Sequence, residues 1–172
     1  MPADQFPTAN AWSLYAHMAC NQGTYGASFL KAMTVDSFES FGRMWNHTHP
    51  ELIGDAQRIV RIKKRNVTGW SFFLDGVTPE WEHPTNRRGK TYSCRDAFTP
   101  AKLTEVWKQL TMACVLAQHP PELLGIQITR KYTVGGGMHT KVDVWAKHSS
   151  HALKAWLSAT TGVAFGEALR RI

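Results

Sequence analysis

Acidic residues are scarce in this chain, and cysteines are scarcer. Thirteen Asp and Glu face twenty Lys and Arg, giving a formal net charge of +7 and a pI near 9.5. Such an imbalance favours a polyanionic partner, nucleic acid first and an acidic membrane second. Cys20, Cys94 and Cys114 are odd in number and lack CxxC spacing, so neither a disulfide framework nor a zinc site is indicated and a reducing compartment fits best. There is no apolar stretch of spanning length and no apolar run behind basic residues at the N-terminus, so the expectation is a cytoplasmic or nuclear protein. Repeats and low-complexity linkers are missing too. At 172 residues a single domain is expected, residues 10–172, behind a flexible lead-in at 1–9 that holds Pro2 and Pro7.

Catalytic signatures are equally thin. His47 and His49 have no further ligand at metal spacing. Glu80 and Glu82 flank one residue, and on an extended segment they point to opposite sides instead of at one bond. Gly135, Gly136 and Gly137 lack the Lys-Ser/Thr and the helix start of a phosphate loop. No enzyme, metal or cofactor is expected.

Aromatic residues are plentiful. Seven Trp, eight Phe and four Tyr exceed what a core of this size needs, so some flat surface is available for a ligand. Trp12, Leu14 and Ala16 alternate with Ser13, Tyr15 and His17 as on a half-buried strand; residues 57–63 and 70–74 are further strand candidates. Asp36 with Glu39 predicts a helix start, followed by Phe38, Phe41 and Trp45 on one face. Thr99 before Pro100 predicts a second helix, with Leu103, Val106, Trp107, Leu110 and Cys114 on one side. Residues 151–160 predict a third, ended by Gly162. Several strands interspersed with three helices predict an α+β fold, with helices packed on one face of an antiparallel sheet.

The stretch from Gly76 to Gly89 is the most specific chemical signal. Trp81 stands between Glu80 and Glu82 and is followed by Arg87, Arg88 and Lys90. An indole beside a carboxylate suits a cationic ring with two parallel N–H donors, which describes a methylated guanine, and the bases suit attached phosphates. This stretch resembles the eukaryotic translation initiation factor 4E family, which holds the 7-methylguanosine cap of mRNA. The likeness is collinear from about Phe6 to Gly166: Asn10–Tyr15 resembles the first strand, Val35–His47 the first helix, Leu103–Trp107 the second helix, and Gly125–Arg130 with Lys141–Trp145 the phosphate-bearing strands.

The resemblance implies a curved antiparallel sheet with three long helices on its convex face and a cap site on the concave face. It implies that Tyr25 and Trp81 sandwich the base, that Glu82 reads the guanine edge and that Trp145 sits against the N7-methyl group. Arg130 and Lys141 would hold phosphates, helped by Arg88 or Lys90 because the third phosphate position falls on Thr91. Tyr25 departs from the usual Trp. Residues 132–140 lengthen the last hairpin, and residues 48–68 form a long connection rich in Arg and Lys. Phe6, Pro7, Phe38, Gly42, Trp107 and Lys108 match the surface that meets scaffold factor 4G and other 4E-binding proteins. Gly42 replaces the anchoring Trp there, which implies a non-standard partner. The expected function is cap binding in translation initiation or its regulation; the alternatives are a cap-binding repressor and a general single-stranded RNA binder.

Overall fold

The computed structural model describes residues 6–19, 28–96 and 98–168. Along them run β1 (Pro7–Met18), β2 (Phe29–Ser37), α1 (Phe38–Thr48), α2 (Pro50–Ile53), β3 (Val60–Ile62), β4 (Arg65–Leu74), α3 (Pro84–Arg87), β5 (Lys90–Asp96), α4 (Pro100–Val115), β6 (Leu123–Tyr132), β7 (Met138–Ala146), α5 (His151–Thr161) and β8 (Gly166–Glu167). The strands make one curved antiparallel sheet in the order β2-β1-β4-β6-β7-β5-β8, with β3 paired to β4. The expected α+β architecture holds. Its three long helices are α1, α4 and α5; α2 and α3 are four-residue turns of helix.

Local chemistry sets the element boundaries. Ser37, one residue after the expected Asp36, caps α1: its Oγ accepts from the Ser40 N–H, and the Ser40 Oγ accepts from the Ser37 N–H. Asp36 instead lies in β2, which ends at Ser37. Thr99 caps α4 with Pro100 behind it, and α5 ends at Gly162 with φ 66°, both as expected. Chain order begins earlier than the expected lead-in allows, since β1 starts at Pro7. The Glu39 carboxylate accepts from the Phe6 N–H at 3.3 Å and the Phe38 N–H donates to the Phe6 carbonyl at 3.0 Å, fastening this end to the start of α1.

Period two along the strands divides the molecule. Trp12, Leu14, Ala16, Trp70, Phe72, Ile126, Ile128, Val142 and Val144 face the helices and pack with Met44, Leu103, Val106, Leu110, Leu153 and Leu157 in one core. Trp107 belongs to that core and is 0% exposed, which corrects its assignment to a partner surface: it lies one helical turn from both Leu103 and Leu110 and shares their buried stripe. The opposite residues form three cross-strand rows on the concave face. Ser13, Phe73, Gly125, Trp145 and Thr91 make the first; Tyr15, Ser71, Gln127, Asp143 and Ser93 the second; His17, Gly69, Thr129, Lys141 and Arg95 the third.

Arg130 shares the helix-side parity of Ile126 and Ile128 and is 5% exposed. Its Nε donates to the Ile53 carbonyl at 3.1 Å and one terminal nitrogen to the Arg58 carbonyl at 2.8 Å, while the other bonds the carbonyls of Leu52 and Asp55. The guanidinium therefore gathers the carbonyls at and beyond the end of α2. This shapes the long connection after α1 and leaves β3 as only three residues of the strand expected over 57–63.

The β3–β4 connection is a two-residue turn, Lys63 and Lys64, with φ 47° and 66°. Positive φ at both central positions is the type I′ geometry that hairpins favour and that Asn-Gly satisfies easily. Side chains other than Gly, Asn or Asp adopt it at a cost of about 1 kcal/mol each.

Two outcomes follow for stability. Arg130→Leu strands one buried and three part-buried carbonyls and is expected to lower unfolding free energy in urea by about 3 kcal/mol. His17, buried in the third row, has its pKa lowered to about 3, first by burial and second by the charge of Lys131. The unfolded chain takes up a proton there below about pH 6.5 and the folded chain does not until about pH 3, so stability falls as pH drops through that window. Between pH 7 and pH 5 the loss is expected to be about 2 kcal/mol by urea titration, and smaller in His17→Gln.

Candidate functional site

The concave face brings together Trp81, Trp145 and Lys141 among the described residues singled out for a ligand. Its first row is aromatic because Gly125 gives way: a Cβ there would lie 2.4 Å from the Phe73 ring. Phe73 thus lies flat over the Gly125 backbone and meets Trp145 edge to face, with ring centroids 5.5 Å apart. Trp145 in turn carries Trp81, stacked at 3.8 Å with 25° between planes. Tyr15, Val77 and Leu124 complete this second apolar cluster, separate from the helix-side core.

Trp81 reaches that position on a loop held by Asn86. The Asn86 amide donates to the carbonyls of Thr78 and Glu80, both at 2.7 Å, and the side chain is buried. Pro84 at the first position of α3 and the His83 cap, which accepts from the Thr85 N–H at 3.3 Å, finish the turn. Gly89 then lets the chain pass against β7, where a Cβ would meet the Ala146 carbonyl at 2.3 Å. Glu82, next to Trp81 in the chain, and Arg88, after α3, are exposed on this loop. Tyr25 lies outside the described residues.

Below the aromatic row the floor is polar. The His17 Nε2 lies 2.5 Å from the Ser71 hydroxyl and 2.8 Å from the Gln127 amide. Asp143, 5% exposed, accepts from Ser93 on one oxygen and pairs with the Lys141 ammonium at 2.7 Å on the other. Lys141 therefore stands on the expected face with a carboxylate already beside it. Lys90 pairs with Glu167 at 2.9 Å. The buried Trp145 Nε1, Thr91 Oγ1 and Thr129 Oγ1, all on the concave side, have no hydrogen-bond partner among the described residues. The core indoles of Trp12, Trp70 and Trp107 are unpartnered too, so the lack of a partner does not by itself mark a ligand contact.

Two expected site residues go elsewhere: Arg130 to the carbonyls at and beyond the end of α2, and Lys90, which has the helix-side parity of Tyr92 and Cys94 opposite Ala146, to Glu167. Next to Arg130, Lys131 has the parity of Gln127 and Thr129 and acts electrostatically on His17, so the concave cation of β6 is Lys131. Arg95, exposed opposite Lys141 in the third row, is a further base missed from sequence. Strand parity was the signal for both. Asp143 also had a signal, an acid two residues from Lys141 on one strand face. Asn86 had none beyond its place in the loop.

On the convex side, Phe6 and Phe38 are exposed, and Gly42 is exposed with open space where a Cβ would stand. Lys108 is exposed and lies 3.9 Å from Glu105.

Comparison with known proteins agrees with this architecture. The family model described as eukaryotic initiation factor 4E matches residues 7–156. Eukaryotic translation initiation factor 4E of Dictyostelium discoideum is 25% identical over 146 residues, covering 82% of this chain and 52% of its own length. The chain spans about half the length of the curated relatives it matches. Among solved structures, C. elegans eIF4E-3 in complex with the 4E-binding protein Mextli and a cap analog superposes with a TM-score of 0.74 at 18% identity, over 93% of this chain and 87% of that one. Ascaris suum eIF4E-3 with m7G cap gives 0.75 at 18% identity, over 93% and 86%. With the sheet, the three helices and the match over most of the sequence in agreement, the chain belongs to the eukaryotic initiation factor 4E family.

Proposed function

We propose that this chain binds the 7-methylguanosine cap of mRNA on its concave face and acts in cytoplasmic translation initiation or its regulation. The observation that carries this reading is the aromatic end of the face: Trp81 on Trp145, with Glu82 next to Trp81 and an unpartnered Trp145 N–H beneath. A base methylated at N7 is cationic and stacks strongly on an indole. In this reading Trp81 and Tyr25 cover its two faces, Trp145 meets its methylated edge and Glu82 accepts from N1–H and N2–H. Adenine offers no such donor pair and leaves the carboxylate unmatched. Lys141 and Lys131, with Arg88 and the Thr91 hydroxyl, receive the triphosphate. Lys90 stays with Glu167.

A 4E-binding protein is the proposed protein partner, on the convex face around Phe6, Pro7, Phe38 and Gly42. The open space at Gly42 asks that the partner bring the bulky side chain itself.

The first test is titration with 7-methyl-GTP and with GTP at fixed salt, followed by Trp fluorescence. The methylated nucleotide is expected to bind at least tenfold tighter. Trp81→Ala is expected to lose one stack, about 1 to 3 kcal/mol, and Glu82→Ala to lose the preference for guanine. Equal, weak and salt-dependent binding of both nucleotides would sink the cap reading in favour of a general RNA binder.

Asp143 generates a second test. Its carboxylate sits where Lys141 would meet a phosphate, so it weakens the hold on the chain of charges and leaves the base contacts alone. Asp143→Asn keeps the Ser93 contact and removes the charge. Affinity for 7-methyl-GTP should rise about fivefold, roughly 1 kcal/mol, with less gain for 7-methyl-GMP and none for the nucleoside. The same gain for all three ligands, measured by isothermal titration, would assign Asp143 a different role.

A further inference from the structure

The Lys63-Lys64 turn has no local reason to be made of lysine. Both residues hold φ values that favour glycine or asparagine, and neither pairs with a carboxylate among the described residues. Arg61 and Arg65, also exposed, flank them. Strain maintained at an exposed hairpin tip, together with like charges set side by side, is a cost that function explains better than folding does.

Topology says which function. Gly69 pairs with Thr129, and β4 runs antiparallel to β6, so stepping from Gly69 back to Arg65 follows β6 forward from Thr129 past Lys131. The Lys63-Lys64 tip and the β6–β7 hairpin therefore project from the same end of the sheet, on neighbouring strands. A path leaving the aromatic row meets Lys141 and Arg95 in the third row, then Lys131 opposite His139, and then the basic tip. From Phe73 to Arg65 this is about 26 Å at 3.3 Å per residue, beyond the reach of a cap triphosphate. Asp143, the carboxylate on the way, is already held by Lys141 and Ser93.

We propose that the Lys63-Lys64 tip is a second binding site, for the phosphodiester backbone of the RNA downstream of the cap. It rests on the proposed cap reading for the direction in which the RNA leaves the aromatic row. Arg61, held by its Nε on Asn66 at 3.2 Å, stands beside the tip as a further phosphate contact. The site reads charge and not sequence, because lysine ammonium groups on a turn offer no fixed pattern to a base edge.

The test pairs two opposing readouts in one variant. Lys63→Asn with Lys64→Gly supplies the residues that the turn prefers, so the melting temperature is expected to rise by about 2 °C or more. Binding of a capped 12-nucleotide RNA should weaken, and its slope of log affinity against log salt should fall by about 1.4, while the cap dinucleotide binds as in the unaltered protein. Arg43→Gln with Lys154→Gln, two charges on the helix side, controls for net charge. Equal binding of capped 12-mer to both proteins overturns the proposal, as does a loss confined to phosphatidylserine vesicles. An uncapped 12-mer scores the tip separately: if methylated and plain caps bind alike but the variant still loses the 12-mer increment, the cap reading fails and the tip stands.

Discussion

Everything on the concave face depends on the register of five antiparallel strands. Because side chains alternate with a period of two, one register carries the apolar positions under the helices and brings Phe73, Gly125 and Trp145 into line on the other side. The same register sets Asp143 opposite Ser93 and Lys141 opposite Arg95. The polar floor is not assembled by loops. It is the reverse side of the core, and its geometry is as firm as the packing of Trp12, Phe72 and Ile126 behind it.

This explains which features could be read from the chain. Caps and helix stripes are local, so Thr99, Pro100 and Gly162 mark their helices directly. Core alternation in β1 is local too. Parity in β6 is not: Arg130 and Lys131 are adjacent bases, and only the burial of Ile126 and Ile128 decides which of them turns to the concave side. Matching a motif by residue type selects the arginine, and pleating selects the lysine. Trp107 raises the same problem on a helix, since its large ring suits either a core or an interface until Leu103 and Leu110 are seen around it. Asn86 was illegible for another reason. Its amide is tied to two carbonyls within eight residues, a contact made by the bend it stabilises.

The electrostatics of the face are more finely divided than the net charge of +7 suggests. Lys141 has a carboxylate partner within 3 Å, whereas Arg95 and Lys131 are exposed. Buried His17 stays neutral, partly because Lys131 is near, so the floor beneath that lysine adds polarity without adding charge. Two distinct zones result: an aromatic and polar end with little free charge, and an outer basic end whose field is long in range and sensitive to salt.

The Trp81–Trp145 stack has one further consequence. With its rings 3.8 Å apart, the face of Trp145 has a resident occupant supplied by the chain itself. A base that stacks on Trp81 therefore has one indole face to meet, the one turned away from Trp145. The indole behind it is held by its own packing against Trp145, so the platform is in position before any ring arrives and little free energy is spent on ordering it.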